Sequence, residues 1–196
     1  MITVLSYLAE HFDLPILEWI AANIKCEFLD AVMPIITRFG DGGIFWILMA
    51  LVLVCIPKHR RGGLGVGIAL LLGVLVCNVT LKPLIARPRP YDYQLEHFGR
   101  TITLLITAPR DFSFPSGHTL ASFEAATALL LYDRRFGIPA MVLAVLVAFS
   151  RLYLYVHYPT DVLCAMVLGI AFGIVGYLVA GKLMKSTKKG LKSCEE

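Results

Sequence analysis

Gly62-Gly-Leu-Gly-Val-Gly-Ile-Ala-Leu-Leu-Leu-Gly-Val-Leu-Val-Cys-Asn-Val-Thr-Leu81 runs for twenty residues without a charge. A bilayer core is crossed by about 20 apolar residues in helical form, and in lipid only a helix or a closed barrel satisfies every backbone polar group. The stretch is therefore predicted to span a membrane. Val162 to Gly181 meets the same test. Shorter apolar runs at Gly42 to Pro57, Thr119 to Tyr132 and Phe136 to Ser150 extend into neighbouring polar residues, and Glu124 lies inside the second of them.

The composition agrees. Of 196 residues, 58% are hydrophobic and 16% charged, against roughly 25% charged in a soluble domain. The predicted fold is all-α, a polytopic membrane bundle of five to six transmembrane helices in one domain. Residues 41–185 are predicted to form its helical core and 186–196 a polar tail. Residues 1–40 are ambiguous: between Leu14 and Arg38 the charges of Glu18, Lys25, Glu27 and Asp30 interrupt the apolar pattern. That suits an interfacial amphipathic helix or a poor first span. The first basic residue is Lys25, so Met1 to Asp13 lacks the n-region of a secretory signal and no cleavage is expected. A net charge of +4 with no basic stripe argues against nucleic acid. Cys26, Cys55, Cys77, Cys164 and Cys194 are scattered without a C-x-x-C pair and read as small core residues.

Charge also orients the chain. Lys58, Arg60 and Arg61 mark one loop, Arg134 and Arg135 another, and Lys182, Lys185, Lys188, Lys189 and Lys192 the tail. The positive-inside rule makes these cytoplasmic. Alternation then puts the segments Arg87 to Pro115 and Arg151 to Thr160 on the extracytoplasmic face. Their arginines break the same rule, and an anionic ligand is the natural reason.

Three segments meet at that face. In Lys82-Pro-Leu-Ile-Ala-Arg87-Pro-Arg89-Pro90, Lys82 and Arg89 stand seven residues apart, about two helical turns, so both can face one anion. Taken alone, Lys82 and Arg87 read more simply as cations snorkelling to lipid headgroups. In Phe114-Pro115-Ser116-Gly117-His118-Thr119, proline and serine open a helix whose free N–H groups make an anion cradle. Capping by Ser116 explains those two residues but not His118. In Ser150-Arg151-Leu-Tyr-Leu-Tyr-Val-His157-Tyr-Pro159-Thr-Asp161, a helix starting at Pro159 puts Asp161 within reach of His157, where a carboxylate can fix the imidazole tautomer. In isolation, that pair reads equally as interfacial polar residues.

His118, His157 and Asp161 are also plausible ligands of a two-histidine, one-carboxylate metal site. Lys82, Arg89 and Arg151 aimed at the same point would repel a divalent metal and neutralise a phosphate. Phosphate is the preferred ligand, and neither a metal nor another cofactor is expected.

Together the three segments resemble the type 2 phosphatidic acid phosphatase superfamily, with its pattern K-x6-R-P, P-S-G-H and S-R-x5-H-x3-D. Lys82, Arg89 and Pro90, then Pro115, Ser116, Gly117 and His118, then Ser150, Arg151, His157 and Asp161 match in order. The resemblance runs from about Asp41 to the tail. It departs over the N-terminal part, where five spans are readable against the six usual in the family.

The resemblance implies a metal-independent phosphatase acting on a lipid (pyro)phosphate. His157 would attack phosphorus to give a phosphohistidine while Asp161 orients its ring. His118 would act as acid and then base, and Lys82, Arg89, Arg151, Ser116 and Gly117 would hold the phosphate oxygens. Undecaprenyl diphosphate is favoured by analogy over phosphatidylglycerol phosphate or phosphatidic acid. A non-catalytic anion binder or lipid transporter is the reading from another class, and a vanadate haloperoxidase a remote third. Membrane lipids are the other expected partners, and no motif for a protein partner is apparent. Glu124 is read as a packing or pocket-lining carboxyl. Tyr91, Tyr93, Phe98, Phe112 and Phe114 are read as the lip for a lipid tail or as an interfacial belt.

Overall fold

The structure, a computed structural model, describes the backbone of residues 2–193 and the side chains of residues 4–186. The side chains of Lys188, Lys189 and Lys192, and Cys194, fall outside the described residues.

A single π turn, Ala9–Asp13, joins α1 (Ile2–Leu8) to α2 (Leu14–Asn23). Next come α3 (Glu27–Thr37), a 3-10 segment Arg38–Gly43, and α4 (Ile44–Cys55). Helix α5 (Arg60–Gly73) continues as a π-helix, Val74–Leu81, into α6 (Lys82–Ile85), and α7 (Pro90–Phe98) follows. The chain ends with α8 (Gly117–Tyr132), α9 (Arg134–Tyr153) and α10 (Pro159–Ser193).

Among the described residues, four stretches are long and apolar enough to cross a membrane: Glu27–Cys55, Arg60–Phe98, Arg134–Tyr153 and Pro159–Ser186. Helix α8 adds 16 residues, about 24 Å at 1.5 Å per residue, and packs chiefly against α5, α9 and α10. The five spans expected from sequence thus fall on α4, α5 with its π continuation, α8, α9 and α10.

Burial reverses the soluble pattern. Helix α8 buries everything from Thr119 to Leu129 except Ala121, while Leu51, Leu71, Val142, Val167 and Leu178 on the surrounding helices are exposed. An apolar exterior of that extent is what lipid demands. It also corrects the reading of the cysteines: Cys77 is buried, but Cys26 and Cys55 are exposed. In a membrane bundle a small apolar residue is as well placed outside as inside.

Without a hydrophobic drive between helices, contact in lipid depends on close approach. Gly169 and Gly173, one turn apart on α10, provide it. A Cβ at Gly173 would stand 2.6 Å from Thr127 Cβ and 2.7 Å from the Glu124 carbonyl oxygen.

The two ends of the bundle differ. At one, the Tyr132 hydroxyl donates to the Lys58 carbonyl at 2.9 Å, tying the basic Lys58–Arg61 loop to the end of α8. At the other, α9 ends while α8 and α10 begin, and residues 2–40 form a cap. Ile20 and Met33 pack on Tyr153, Leu154 and Val156. Ala9, Leu14 and Leu17 pack on Tyr93, Tyr155 and Tyr158. The Tyr153 hydroxyl donates to Asp30 at 2.6 Å. Chain then enters α4 through Gly42 and Gly43, at φ +57 and +67, a left-handed conformation that costs other residues and leaves Asp41 facing α8.

Candidate active site

At the capped end lies a cavity of about 220 Å³, lined by Lys82, Arg89, Gly117, His118, Arg151 and His157, with Asp111 at its polar side. Its floor runs down among Ile47, Leu70, Val74, Asn78 and Leu120 to Glu124.

Lys82 and Arg89 converge, though not by helical periodicity. The helix stops at Ile85, Ala86 turns to φ +47, and Arg89 is extended. Prolines at positions 88 and 90 forbid helix across this step, and the turn delivers both cations to Asp111. Lys82 Nζ pairs with Asp111 Oδ2, and Arg89 Nη2 donates to Asp111 Oδ1 at 2.5 Å. Burial pushes the Asp111 carboxyl up, but Lys82 and Arg89 outweigh it and hold it well below the usual carboxylate range.

His157 sits in the sharp connection between α9 and α10, where Tyr155 takes φ +61. Its Nε2 lies 3.2 Å from Arg89 Nη1. Its Nδ1 lies 3.4 Å from Ser113 Oγ and 3.5 Å from Asp161 Oδ2. A guanidinium nitrogen only donates, so Nε2 presents a lone pair and the Nδ1 proton faces the Ser113–Asp161 side. Burial first, then Arg89, Arg151, Lys82 and His118, hold the imidazole well below the ordinary histidine range. It is a neutral base at pH 7, buried and facing cations.

Asp161 stands in the first turn of α10 and is fully buried. It accepts the Tyr158 N–H at 3.0 Å, the Ser113 hydroxyl, and Arg87 Nη1 at 2.5 Å. Opposite, His118 lies one residue into α8, its Nε2 2.8 Å from Asp41 Oδ1. The two histidines turn to different carboxylates, and among the described residues no three histidine, cysteine or acidic side chains gather as metal ligands.

Arg151 is 2% exposed. It donates to Thr37 Oγ1 at 2.5 Å, its Nε has no partner among the described residues, and it lines the cavity. A buried guanidinium without a carboxylate is costly unless an anion joins it. Gly117 also lines the cavity, whereas Ser116 lies behind it. The Ser116 hydroxyl is 3.0 Å from Thr119 Oγ1, and its N–H points at the Asp161 carbonyl, 3.4 Å away.

Several residues here carried no signal in the sequence reading. Thr37, Asp41, Asp111 and Ser113 belong to none of the three segments, and Asp111 meets its partners across 29 and 22 residues. A charge balance over the polar loop was the one available hint. Arg87 corrects an expectation: it does not snorkel, being 3% exposed and held between Asp13 and Asp161. The aromatic residues read as a lip or an interfacial belt divide between burial and exposure. Tyr93 is buried and donates to Glu10 at 2.6 Å, Tyr91 donates to the Pro109 carbonyl at 2.7 Å, and Phe98 and Phe112 are exposed. Glu124 is buried at the cavity floor, filling the space that Gly73 leaves open.

The chain is similar to known proteins in sequence and in fold. Residues 62–185 match the model of the PAP2 superfamily. The undecaprenyl-diphosphatase BcrC of Bacillus subtilis is 33% identical over 76% of this chain and 72% of its own length. Among solved structures, LpxE of Aquifex aeolicus superposes with a TM-score of 0.70 at 26% identity, over 84% of this chain and 93% of that one. The transmembrane PAP2 type phosphatidylglycerolphosphate phosphatase of Bacillus subtilis gives 0.66 at 26% identity, over 93% and 88%. Three motifs that meet at one cavity, in a chain with these relatives, lead to one conclusion: the chain belongs to the PAP2 superfamily and is a membrane-bound phosphatase.

Proposed function

We propose that the enzyme removes the terminal phosphate of a lipid diphosphate, with undecaprenyl diphosphate as the preferred substrate, at the extracytoplasmic face of a bacterial cytoplasmic membrane. The observation that carries the reading is Arg151, buried in the cavity wall and paired with no carboxylate among the described residues, while Lys82, Arg89 and both histidines face the same space. A phosphoryl group supplies the missing anion. The undecaprenyl-diphosphatase relative supports the choice of lipid.

In this reading His157 Nε2 attacks phosphorus in line, forming the N–P bond as the bond to the leaving lipid phosphate breaks. Its Nδ1 proton stays toward Asp161, which offsets the positive charge developing on the ring. His118, oriented by Asp41, gives a proton to the leaving oxygen. It then takes one from the water that hydrolyses the phosphohistidine. Lys82, Arg89, Arg151 and the backbone at Gly117 hold the equatorial oxygens. The basic Lys58–Arg61 loop at the opposite end of the bundle supports the sidedness.

The test is phosphate release by the detergent-solubilised protein from undecaprenyl diphosphate, phosphatidylglycerol phosphate and phosphatidic acid. Release fastest from the first is expected, unchanged by EDTA. Release confined to one of the monophosphates would move the substrate, and none from any lipid would favour an anion binder or transporter. Turnover should follow a bell-shaped pH profile. Since neutral His157 is the nucleophile and its pKa is depressed, the acid limb falls below the ordinary histidine value of about 6.5, and because burial and Arg151 lower the His118 imidazole as well, the basic limb set by loss of its proton also lies below that value in the empty cavity. A rate that stays flat from about pH 5 to 9 would exclude this acid–base pair.

Asp111 occupies the cations that a phosphate needs. Asp111→Ala is therefore expected to tighten inhibition by vanadate roughly two- to fivefold, the equilibrium worth of an exposed ion pair. Weaker inhibition in the dose–response curve would mean that Asp111 organises Lys82 and Arg89 instead of competing for them.

A further inference from the structure

Asp13 lies in the cap, outside residues 62–185 that match the family model, and it does not line the cavity. It is fully buried nonetheless. Its Oδ2 accepts Arg87 Nη2 at 2.6 Å and the Thr160 hydroxyl at 2.7 Å, and its Oδ1 accepts the Thr160 N–H at 2.9 Å. Arg87 thus divides its fork between two carboxylates, since Nη1 donates to Asp161 at 2.5 Å. Its guanidinium is also stacked 3.7 Å over the Tyr158 ring.

We propose that Asp13 is a positioning residue for catalysis, acting through Arg87 to leave the Asp161 carboxylate free to serve His157. The inference rests on the phosphohistidine reading above. Formal charge makes the case. Asp13, Arg87 and Asp161 together carry one net negative charge, available to the imidazole when Nε2 takes the phosphoryl group. Without Asp13, Arg87 neutralises Asp161 outright, and both Nη groups can turn onto it as a bidentate pair. His157 then faces Arg89, Arg151, Lys82 and His118 with no net negative charge behind it. Geometry points the same way. Asp161 Oδ2 holds Ser113 and Tyr158 on the His157 side, while Oδ1 holds Arg87, so a guanidinium drawn wholly to Asp161 would rotate the carboxylate away from Nδ1.

The experiment compares wild type, Asp13→Asn and the double variant Asp13→Asn/Arg87→Gln. It measures kcat, KM, inhibition by vanadate, which mimics phosphoryl transfer at Nε2, and inhibition by inorganic phosphate, which only fills the cradle. Asp13→Asn is expected to lower kcat and vanadate affinity together by roughly 10- to 100-fold, a fraction of the loss on neutralising a triad aspartate, with KM and phosphate inhibition little changed. Removing Arg87 as well restores the net negative charge, so the double variant should regain activity over the single one. A purely structural role predicts the reverse: phosphate and vanadate weaken together, and the second substitution adds to the first. That pattern, or wild-type behaviour in Asp13→Asn, overturns the proposal. Wild-type protein that releases phosphate but resists vanadate would count against the phosphohistidine reading, and this inference falls with it.

Discussion

His157→Ala is expected to lower lipid phosphate hydrolysis by at least about a thousandfold, because the proposed mechanism then lacks the atom that would form its covalent intermediate. What survives would come from the cradle alone. Lys82, Arg89, Arg151 and Gly117 still gather round the cavity, so phosphate binding should persist while turnover vanishes. Wild-type protein quenched in acid-stable or base-stable form after mixing with labelled substrate should retain label only under alkaline conditions, as a phosphoramidate does, and the variant should retain none. Arg89 keeps the Val156 carbonyl and Asp111 as partners, so the fold has little reason to fail. Activity within tenfold of wild type would remove His157 from the nucleophile's role.

The second large effect belongs to His118. His118→Ala is expected to cost roughly 10²- to 10⁴-fold in kcat on a lipid substrate, the usual worth of a general acid–base group. The loss should depend on the leaving group. An aryl phosphate with an acidic phenol needs no proton on departure, so its phosphorylation step should be nearly spared, and phosphoenzyme should accumulate because the second step lacks its base. Equal losses for good and poor leaving groups would show that His118 shapes the cavity without moving a proton. Asp41 is the residue to examine with it, since it holds Nε2 at 2.8 Å.

The spans and the convergence of the three segments could be read from the chain because both depend on local pattern. Twenty uncharged residues need no partner to declare themselves, and a histidine four residues before an aspartate across Pro159 is fixed by the start of α10. What escaped depends on contacts between distant positions. The cap mixes charge with apolar residues because Asp13, Glu10 and Asp30 have partners at Arg87, Tyr93 and Tyr153. In sequence alone those charges look like obstacles to insertion. Arg87 shows the same limit: beside a membrane exit, a buried arginine and a snorkelling one look alike in sequence until Asp13 and Asp161 are in view. Lys82 and Arg89 meet as expected, but through a turn at Ala86, because prolines rule out the continuous helix that their spacing suggested.

The cavity floor has a consequence for encounter. Ile47 and Val74 line it and are also exposed on the apolar exterior, so the polar chamber is walled by residues that belong to the lipid-facing surface. A substrate whose tail stays dissolved in the bilayer can bring its headgroup to Lys82, Arg89 and Arg151 by diffusing sideways, in two dimensions. For such an enzyme the governing concentration is the mole fraction of substrate among its neighbouring lipids. Adding inert lipid would slow it even when the amount of substrate per volume is unchanged.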